Sequence, residues 1–488
     1  MRPSAFFLAC LVSCSLACGS SPPGSACKNP IGVSEAAPPD TVQHFANQRV
    51  GRVVRFDVPP NTASITIVEQ AVNAPDAVTY HPAGQAATVL ANTAVPFEVL
   101  DPSGARIYDD NTPVSSLSPD AIANLTAFFA TSAPATGTLT IPNTSGGLRL
   151  VTSGLTPGTW QLTVSDYAYE CSPAFTQPKD VTCSGGSDGS TYDVTVVTKP
   201  LAPGGGIPGS GSLDVVVYFA TTIATHEGLA PLSAAKANAG DDPDLNRMEQ
   251  TLGSLLLQGA GITVRSVTYV DLPADIQAKY RSGIDVDKTG GCSPIADLFR
   301  YGAGGNTLNI FFVSSFSGAD LAPGNDVVGL DGTIPGPATI GGSAGSGAAV
   351  ATHDLRQTGK CPTGAPDYVN CGPDTTAYII AHEAGHFLGL YHVTEVDGTQ
   401  FDPLLDTPMC PCAACASSPG TCAQSASSSS SNSYPMTVDD CTRTALNADG
   451  TLKCGGGDNL MFWRLESGSR GTLSAEQQQV IRANPLVQ

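Results

Sequence analysis

The sequence predicts a multi-domain chain: an N-terminal all-β sandwich or jelly-roll, then an α/β domain. Three observations carry that reading. Residues 46–198 contain short runs rich in Val, Ile, Thr and Phe, separated by turn signals such as "DPSG" and "TPGT". Residues 199–212, "KPLAPGGGIPGSGS", are a Gly/Pro-rich linker. Beyond it the pattern becomes strand–helix–strand–strand–helix, which implies a twisted sheet covered by helices.

The elements follow in order along 488 residues. "MRPSAFFLACLVSCSLACGSSPPGSAC" supplies Arg2 and an apolar run from Ala5 to Leu16. That run is too short to span a bilayer as a mature helix and reads as a secretory signal. The stretch resembles a bacterial lipoprotein signal, in which a small residue precedes the cysteine that is lipidated. Cys14 follows "LVS", and Cys18 follows "SLA". Twelve cysteines lie beyond Cys18, an even number that can all pair, which favours Cys18. Plain secretion with cleavage nearby is the other reading. The expected boundaries are a signal at 1–18, a Pro/Ser/Gly-rich tether at 19–45, the β domain at 46–198, the linker at 199–212 and the second domain at 213–488. Cysteines in an exported chain read as disulfides. The location expected is therefore the cell envelope or the extracellular space, with the membrane engaged only through a lipid anchor. Net charge is −20 and the charged fraction is 14%. That excludes nucleic acid and anionic membrane surfaces as partners, because both attract basic proteins.

In the β domain the strand candidates are "GRVVRFDVPP", "ASITIVEQAV", "VPFEVLDPSGARIYDD", "GTLTIPN", "GLRLVTSGLTPGTWQLTVSDY" and "TYDVTVVTK". Cys171 and Cys183 enclose a Ser/Gly loop and are expected to pair. His44 and His81 stand alone and read as surface residues. In the second domain, "LDVVVYFAT" (213–221) is a buried strand by its continuous apolar run. "DDPDLNRMEQTLGSLLLQGAG" is a helix capped by Asp242, with Pro243 in its first turn and Leu245, Met248, Leu252 and Leu255 on one face. "ITVRSVTYVDL" and "NTLNIFFVSSF" are further strands. "TTAYIIAHEAGHFLGL" is a second helix with Asp374 or Thr375 as cap. "LSAEQQQVIRA" is a third, opened by a Ser474…Gln477 capping box.

The chemistry concentrates in "AHEAGHFLGLYHVTE", residues 381–395, which hold three of the seven histidines. On a helix, residues four apart share a face, so His382 and His386 can reach one metal ion. Gly389 permits a turn costly for other residues, and that turn can return His392 as a third ligand. Three neutral nitrogens with one open position describe a catalytic zinc site. Glu383, one position round the helix, can take a proton from an attacking water and pass it to a leaving amine. An amphipathic helix with incidental histidines is the bland alternative; the added glycine and third histidine at fixed offsets argue against it.

"HEAGHFLGLYH" resembles the metzincin metalloproteases, whose pattern is HExxHxxGxxH followed by a methionine turn. The closer resemblance is to the pappalysin and cytophagalysin group, through "LGLYH", Asp406-Thr407-Pro408 with Cys410, and "DNLMFW" with Asn459 and Met461. It covers roughly residues 213–488. It implies an α/β metzincin-type protease domain, with Met461 beneath the histidines and protein or peptide as substrate. A tyrosine two positions past that methionine assists several metzincin groups; here the position is Trp463, which has only an N–H donor. Tyr391, between ligands, is expected to be packed. Metzincins hold an extended peptide against an edge strand, and "TIGGSAGSGAAV" (339–350) is expected to be that edge.

Further features carry competing readings. Glu395, Asp397, Asp402 and Asp406 form the kind of oxygen cluster that calcium favours, and solvated turn acids are the other reading. "KCPTGAPD" superficially resembles a cysteine switch; a disulfide from Cys361 to Cys292 or Cys371 is expected instead. Cys410, Cys412 and Cys415, with Cys422, Cys441 and Cys454, lie in an insertion with the run "SASSSSSNS". A second, structural zinc is one reading of them, and disulfides are the expected one. The function expected is that of a secreted or lipid-anchored zinc endopeptidase. Its rival is a surface binding or adhesion lipoprotein acting through the β domain, with a zinc site of little peptidase activity.

Overall fold

A computed structural model describes residues 41–488 apart from 76, 83–87, 111–116, 129–130, 134–135, 176–180, 185, 229, 287–292, 304–305, 319–326, 418–421, 423–434 and 443–453, and the backbone of 34–35. The signal, both lipidation candidates, Cys292 and the serine run lie outside the described residues.

The fold is mixed and rich in sheet. In the first part, two antiparallel sheets share one core. The larger runs in the order Val42–Arg49, Thr191–Pro200, Thr62–Asn73, Thr136–Ile141, Thr131–Ala133. The smaller runs Val53–Val58, Gly158–Asp166, Ala94–Leu100, Arg106–Asp109. Alternate residues point inward from both, so Phe56, Ile65, Ile67, Leu139, Trp160, Leu162 and Val194 meet in one buried cluster. The first strand of the sandwich begins at Val42, inside the stretch expected as tether. "GLRL" does not extend a strand. Ser145–Leu150 is a short helix, because the Thr144 hydroxyl accepts the Gly147 N–H and caps it.

Residues 201–210 lead to a five-stranded sheet in the order Ile262–Asp271, Gly211–Phe219, Thr307–Val313, Ala348–Ala351, Gly329–Asp331. The first four strands are parallel and the last is antiparallel. Gly211–Phe219 is buried on both faces: Val215, Val217 and Phe219 enter one cluster and Tyr218 the other. That two-sided burial explains its continuous apolar run. The helix Pro243–Ala260 begins as expected, with the Asp242 carboxylate accepting the Leu245 N–H, and ends on Gly261 at φ +69°. The closing helix Ala475–Ala483 has both bonds of its capping box.

The edge expectation needs correction. Within 339–350 only the last residues join the sheet, as the strand Ala348–Ala351, which is interior. The edge is Gly329–Asp331, three residues long and too short for any period to register in the sequence. Ile340–Gly341 instead pairs with Ser34–Glu35.

Disulfides join Cys361–Cys371, Cys410–Cys441, Cys412–Cys422 and Cys415–Cys454. The three clustered cysteines are therefore bridged, which removes the structural-zinc reading. Cys171 is also disulfide-bonded; the side chain of Cys183 lies outside the described residues. No described helix is long and apolar enough to cross a membrane. Disulfides in this number are compatible with an extracellular protein.

Candidate metal centre

The histidine helix spans Gly372–Phe387 and packs against Pro243–Ala260 in the core. Neither Asp374 nor Thr375 caps it. The helix starts earlier, from Cys371, with Pro373 in its first turn. Asp374 is fully buried and accepts from Arg247 Nε and Nη2 at 2.9 and 2.6 Å and from Thr251 Oγ1 at 2.8 Å. A carboxylate held by a guanidinium fork fixes the helix start against its neighbour and has no need to cap.

One turn from its end the helix presents His382 and His386. The chain then turns through Gly389, at φ +112°, and brings back His392. The three Nε2 atoms converge. His386 Nε2 lies 3.1 Å from that of His382 and 3.1 Å from that of His392, and His382 and His392 are 3.3 Å apart. Each Nδ1 faces an acceptor: the Leu460 carbonyl for His382 (2.6 Å), the Leu390 carbonyl for His386 (2.8 Å) and the Glu395 carboxylate for His392 (3.1 Å). Those acceptors place the ring protons on Nδ1, so three lone pairs point at one spot. Three lone pairs at such spacing repel unless a cation lies among them. A tetrahedral ion with bonds of about 2.0–2.1 Å separates its nitrogen ligands by about 3.3 Å, so the triad fits a metal ion. Among the described residues this is the group of three or more His, Cys, Asp or Glu whose ligand atoms meet.

Burial, with the neighbouring His392, pulls the His382 imidazole down to about 3, and burial pulls His386 well below its ordinary value. Both rings are thus neutral ligands at physiological pH. Burial also acts to lower His392, but the charge and hydrogen bond of Glu395 outweigh it and raise that ring.

Glu383 is buried beside the triad. Burial raises its carboxyl to about 7, and contact with Asp331 and the proximity of His392 partly offset that. Asp331 belongs to the edge strand. Burial and the charge of the neighbouring Glu383 push its carboxyl well above the usual range. Two buried carboxyls side by side favour one shared proton over two charges. Gly329, on the same face of the strand, lets the edge approach: a Cβ there would lie 1.9 Å from Glu383 Oε1.

Met461 is fully buried beneath the helix; a Cβ on Gly385 would lie 2.3 Å from its Sδ. The Asn459 side chain accepts the Met461 N–H at 2.8 Å and is bonded to Gln477 of the closing helix. The turn that carries Met461 also carries the Leu460 carbonyl that orients His382. Trp463 gives its indole N–H to the Met436 carbonyl at 2.9 Å, and Tyr391 is packed edge-on against Phe128 of the first part, centroids 5.4 Å apart. His44 is exposed, within 3.1 Å of the Thr195 hydroxyl; the side chain of His81 lies outside the described residues.

The four acids read as a calcium cluster are not gathered into one site. Glu395 serves His392, Asp397 turns onto Thr399, Asp402 is buried against Thr407, and Asp406 accepts from Ser474 Oγ and the Glu476 N–H. Sequence reading missed two residues at this centre. Glu395 stands three positions past His392, a spacing that could have signalled its role. Asp331 sits in a glycine-rich stretch and reads as a turn acid; nothing in the sequence joins it to Glu383.

No family model matches the chain, and no curated protein matches it. Among solved structures, it shares 13% identity with a carbohydrate esterase family 2 enzyme with a carbohydrate-binding domain from Corynascus thermopiles (Myceliophthora fergusii), over 61% of this chain and 68% of that one, at a TM-score of 0.09. It shares 9% identity with a family two carbohydrate esterase from Cellvibrio japonicus, over 49% of this chain and 52% of that one, at a TM-score of 0.08. Similarity at that level carries no argument about fold or activity.

Proposed function

We propose that the chain is an exported zinc endopeptidase of the metzincin type, similar to the pappalysin and cytophagalysin group, acting on protein or peptide. The observation that carries the reading is the convergence of three Nε2 atoms whose Nδ1 partners are all fixed, with a buried carboxyl on the same helix. His382, His386 and His392 would hold Zn2+. Nitrogen-only donors suit zinc better than calcium or magnesium, which favour oxygen. When bound, zinc supplies Lewis-acid polarisation of a carbonyl and lowers the pKa of a water.

The protein's own residues do the rest. Glu383, poised near neutrality, takes the proton of the attacking water and gives it to the amine as the peptide bond breaks. Asp331 receives or returns the proton that the two carboxyls share. The antiparallel edge Gly329–Asp331 lies beside Glu383, where an extended substrate could add as a further strand. Met461 on Gly385 and the Leu460 carbonyl keep His382 in place. Export, with acylation at Cys18, follows from the leader.

The test is hydrolysis of an unfolded protein substrate, with zinc content measured on the same preparation. A zinc chelator should abolish cleavage. Glu383→Gln keeps the side chain's size but cannot accept the proton. It should lower turnover at least about 100-fold while retaining one zinc. A zinc-replete Glu383→Gln protein with near-normal cleavage would refute the mechanism.

A further inference from the structure

The first part of the chain holds a second group of buried oxygens, remote in sequence from the histidines. Three inward-facing stripes of the sandwich run out at the same end. Ile65 and Ile67 are followed by Glu69; Trp160, Leu162 and Val164 by Asp166; Val196 and Val194 by Tyr192. Register places Glu69 opposite Val194, one inward step from Tyr192, and the Tyr192 hydroxyl donates to Asp166 Oδ2 at 2.8 Å. Glu69, Asp166 and Tyr192 are each 0% exposed.

The two acids are treated very differently. Asp166 is met by three donors: it accepts the Tyr169 N–H, the Asn92 side-chain N–H at 3.0 Å and the Tyr192 hydroxyl. Among the described residues, Glu69 has no partner on either oxygen. It feels the charge of the nearby Asp166. No described ion pair includes either acid. The hydroxyls of Thr93 and Ser190, one and two positions from Asn92 and Tyr192, are also buried without partners. A protonated Glu69 would leave its O–H without an acceptor among the described residues, and an ionised one would be a buried charge without a cation.

We propose that Glu69 and Asp166 hold one calcium ion between the sheets of the sandwich, a site distinct from the histidine centre. Two carboxylates match the charge of a divalent cation. Donors that are all oxygen select a hard cation rather than zinc. Magnesium dehydrates reluctantly and demands near-ideal octahedral geometry, whereas calcium accepts irregular shells of carboxylate and neutral oxygens. The ion would tie Thr62–Asn73 of one sheet to Gly158–Asp166 of the other, so it stabilises the folded sandwich by binding it and not the unfolded chain.

The test uses the whole chain with its histidine site loaded, prepared free of calcium. CaCl2 is titrated by calorimetry, and the thermal midpoint is read with and without it. One equivalent should bind, and the midpoint should rise. Glu69→Gln is isosteric with the protonated acid. It should weaken calcium binding at least about tenfold and lose the rise, while its histidine-site metal content stays at the wild-type level. A wild-type chain that binds no calcium overturns the proposal, and so does a Glu69→Gln variant that binds it as well as wild type. Should that variant fail to fold, the wild type decides through Tb3+ luminescence excited in the tyrosine band. Tb3+ beside Tyr192 should give saturable emission that calcium displaces, and its absence overturns the proposal. None of these readouts uses peptidase activity, so failure here leaves the proposed function standing, and the reverse holds.

Discussion

The three imidazoles are aimed by three acceptors, and only one of those is a side chain. Leu460 and Leu390 act through their carbonyls, so no substitution removes them; Glu395 can be removed. Glu395→Ala should weaken metal binding about 10- to 100-fold, as loss of such an outer partner does elsewhere, while His382 and His386 keep their acceptors. Competition against a chelator of known affinity measures this, and unchanged affinity would show that Glu395 is a bystander. Asp402 makes a different kind of prediction. The Thr407 hydroxyl lies within reach of both Asp402 Oδ1 and the Leu404 carbonyl, yet has one proton. If that proton goes to the carbonyl, Asp402 must supply its own. Burial raises its carboxyl from 3.8 to about 8, with Asp406 and Glu476 adding to the rise. The folded chain then binds more protons than the unfolded chain between those values, so this stability is full below the lower one and is lost as pH climbs through the upper. Asp402→Asn should flatten the fall of thermal midpoint across that window; an unaltered slope would locate the titration elsewhere. At this scale the sequence made the ligands legible, because helix spacing alone places His382 and His386. It hid the partners: Glu395 looked like one of four turn acids, and Asp331 meets Glu383 only through the tertiary fold.

Elements were legible where one period dominates. The apolar face of Pro243–Ala260, its Asp242 cap and the Ser474–Gln477 box are all local signals, and the structure has them. Elements set by their neighbours were not. The edge strand is three residues long and exists because Ala348–Ala351 offers it a partner. The histidine helix starts at Gly372 because Asp374 is held by Arg247 from another helix. The turn after that helix carries the element-scale prediction. Gly389 sits at φ +112°, where an L side chain is strained, and a Cβ would also lie 3.3 Å from Val480 Cγ1. Gly389→Ala should cost about 1–2 kcal/mol from the backbone alone. The damage should also appear at His392, which the turn positions, as weakened metal retention. Thermal unfolding with metal analysis reads both effects. A variant that keeps full metal affinity would mean that His392 is positioned by its own packing and not by the turn.

The two parts of the molecule are not beads on a string, although the Gly/Pro linker suggested it. Lys199, at the end of a sandwich strand, is largely buried and sends its ammonium to the carbonyls of Arg482, Asn484 and Val487 at 2.6, 3.0 and 2.5 Å. Thr138 of the sandwich donates to the Pro335 carbonyl at 2.7 Å, and Phe128 covers Tyr391 between two ligands. Side-chain chemistry at a domain face cannot be read from composition, since a lysine before a linker looks solvated. Burial lowers the Lys199 amine to about 7, while three carbonyl acceptors favour its protonated form, so the clamp depends on hydrogen bonds rather than on an ion pair. Lys199→Met keeps the apolar stem and removes the donor from the Arg482 and Val487 carbonyls, each worth about 1–3 kcal/mol when buried, while the Asn484 carbonyl still accepts the Val487 N–H. The loss should fall on the closing helix, whose Gln477 steadies the Asn459 turn beneath the histidines. The chain has two tryptophans, Trp160 in the sandwich core and Trp463 beside the methionine turn. In a Trp463→Phe background, fluorescence reports the sandwich, while helical circular dichroism reports the second part. With Lys199 present the two signals should unfold in urea together. With methionine there, the helical signal and the metal should be lost at lower urea than the Trp160 signal. Coincident transitions in both proteins would mean that the clamp contributes nothing to coupling and that Phe128, Thr138 and their neighbours carry it alone.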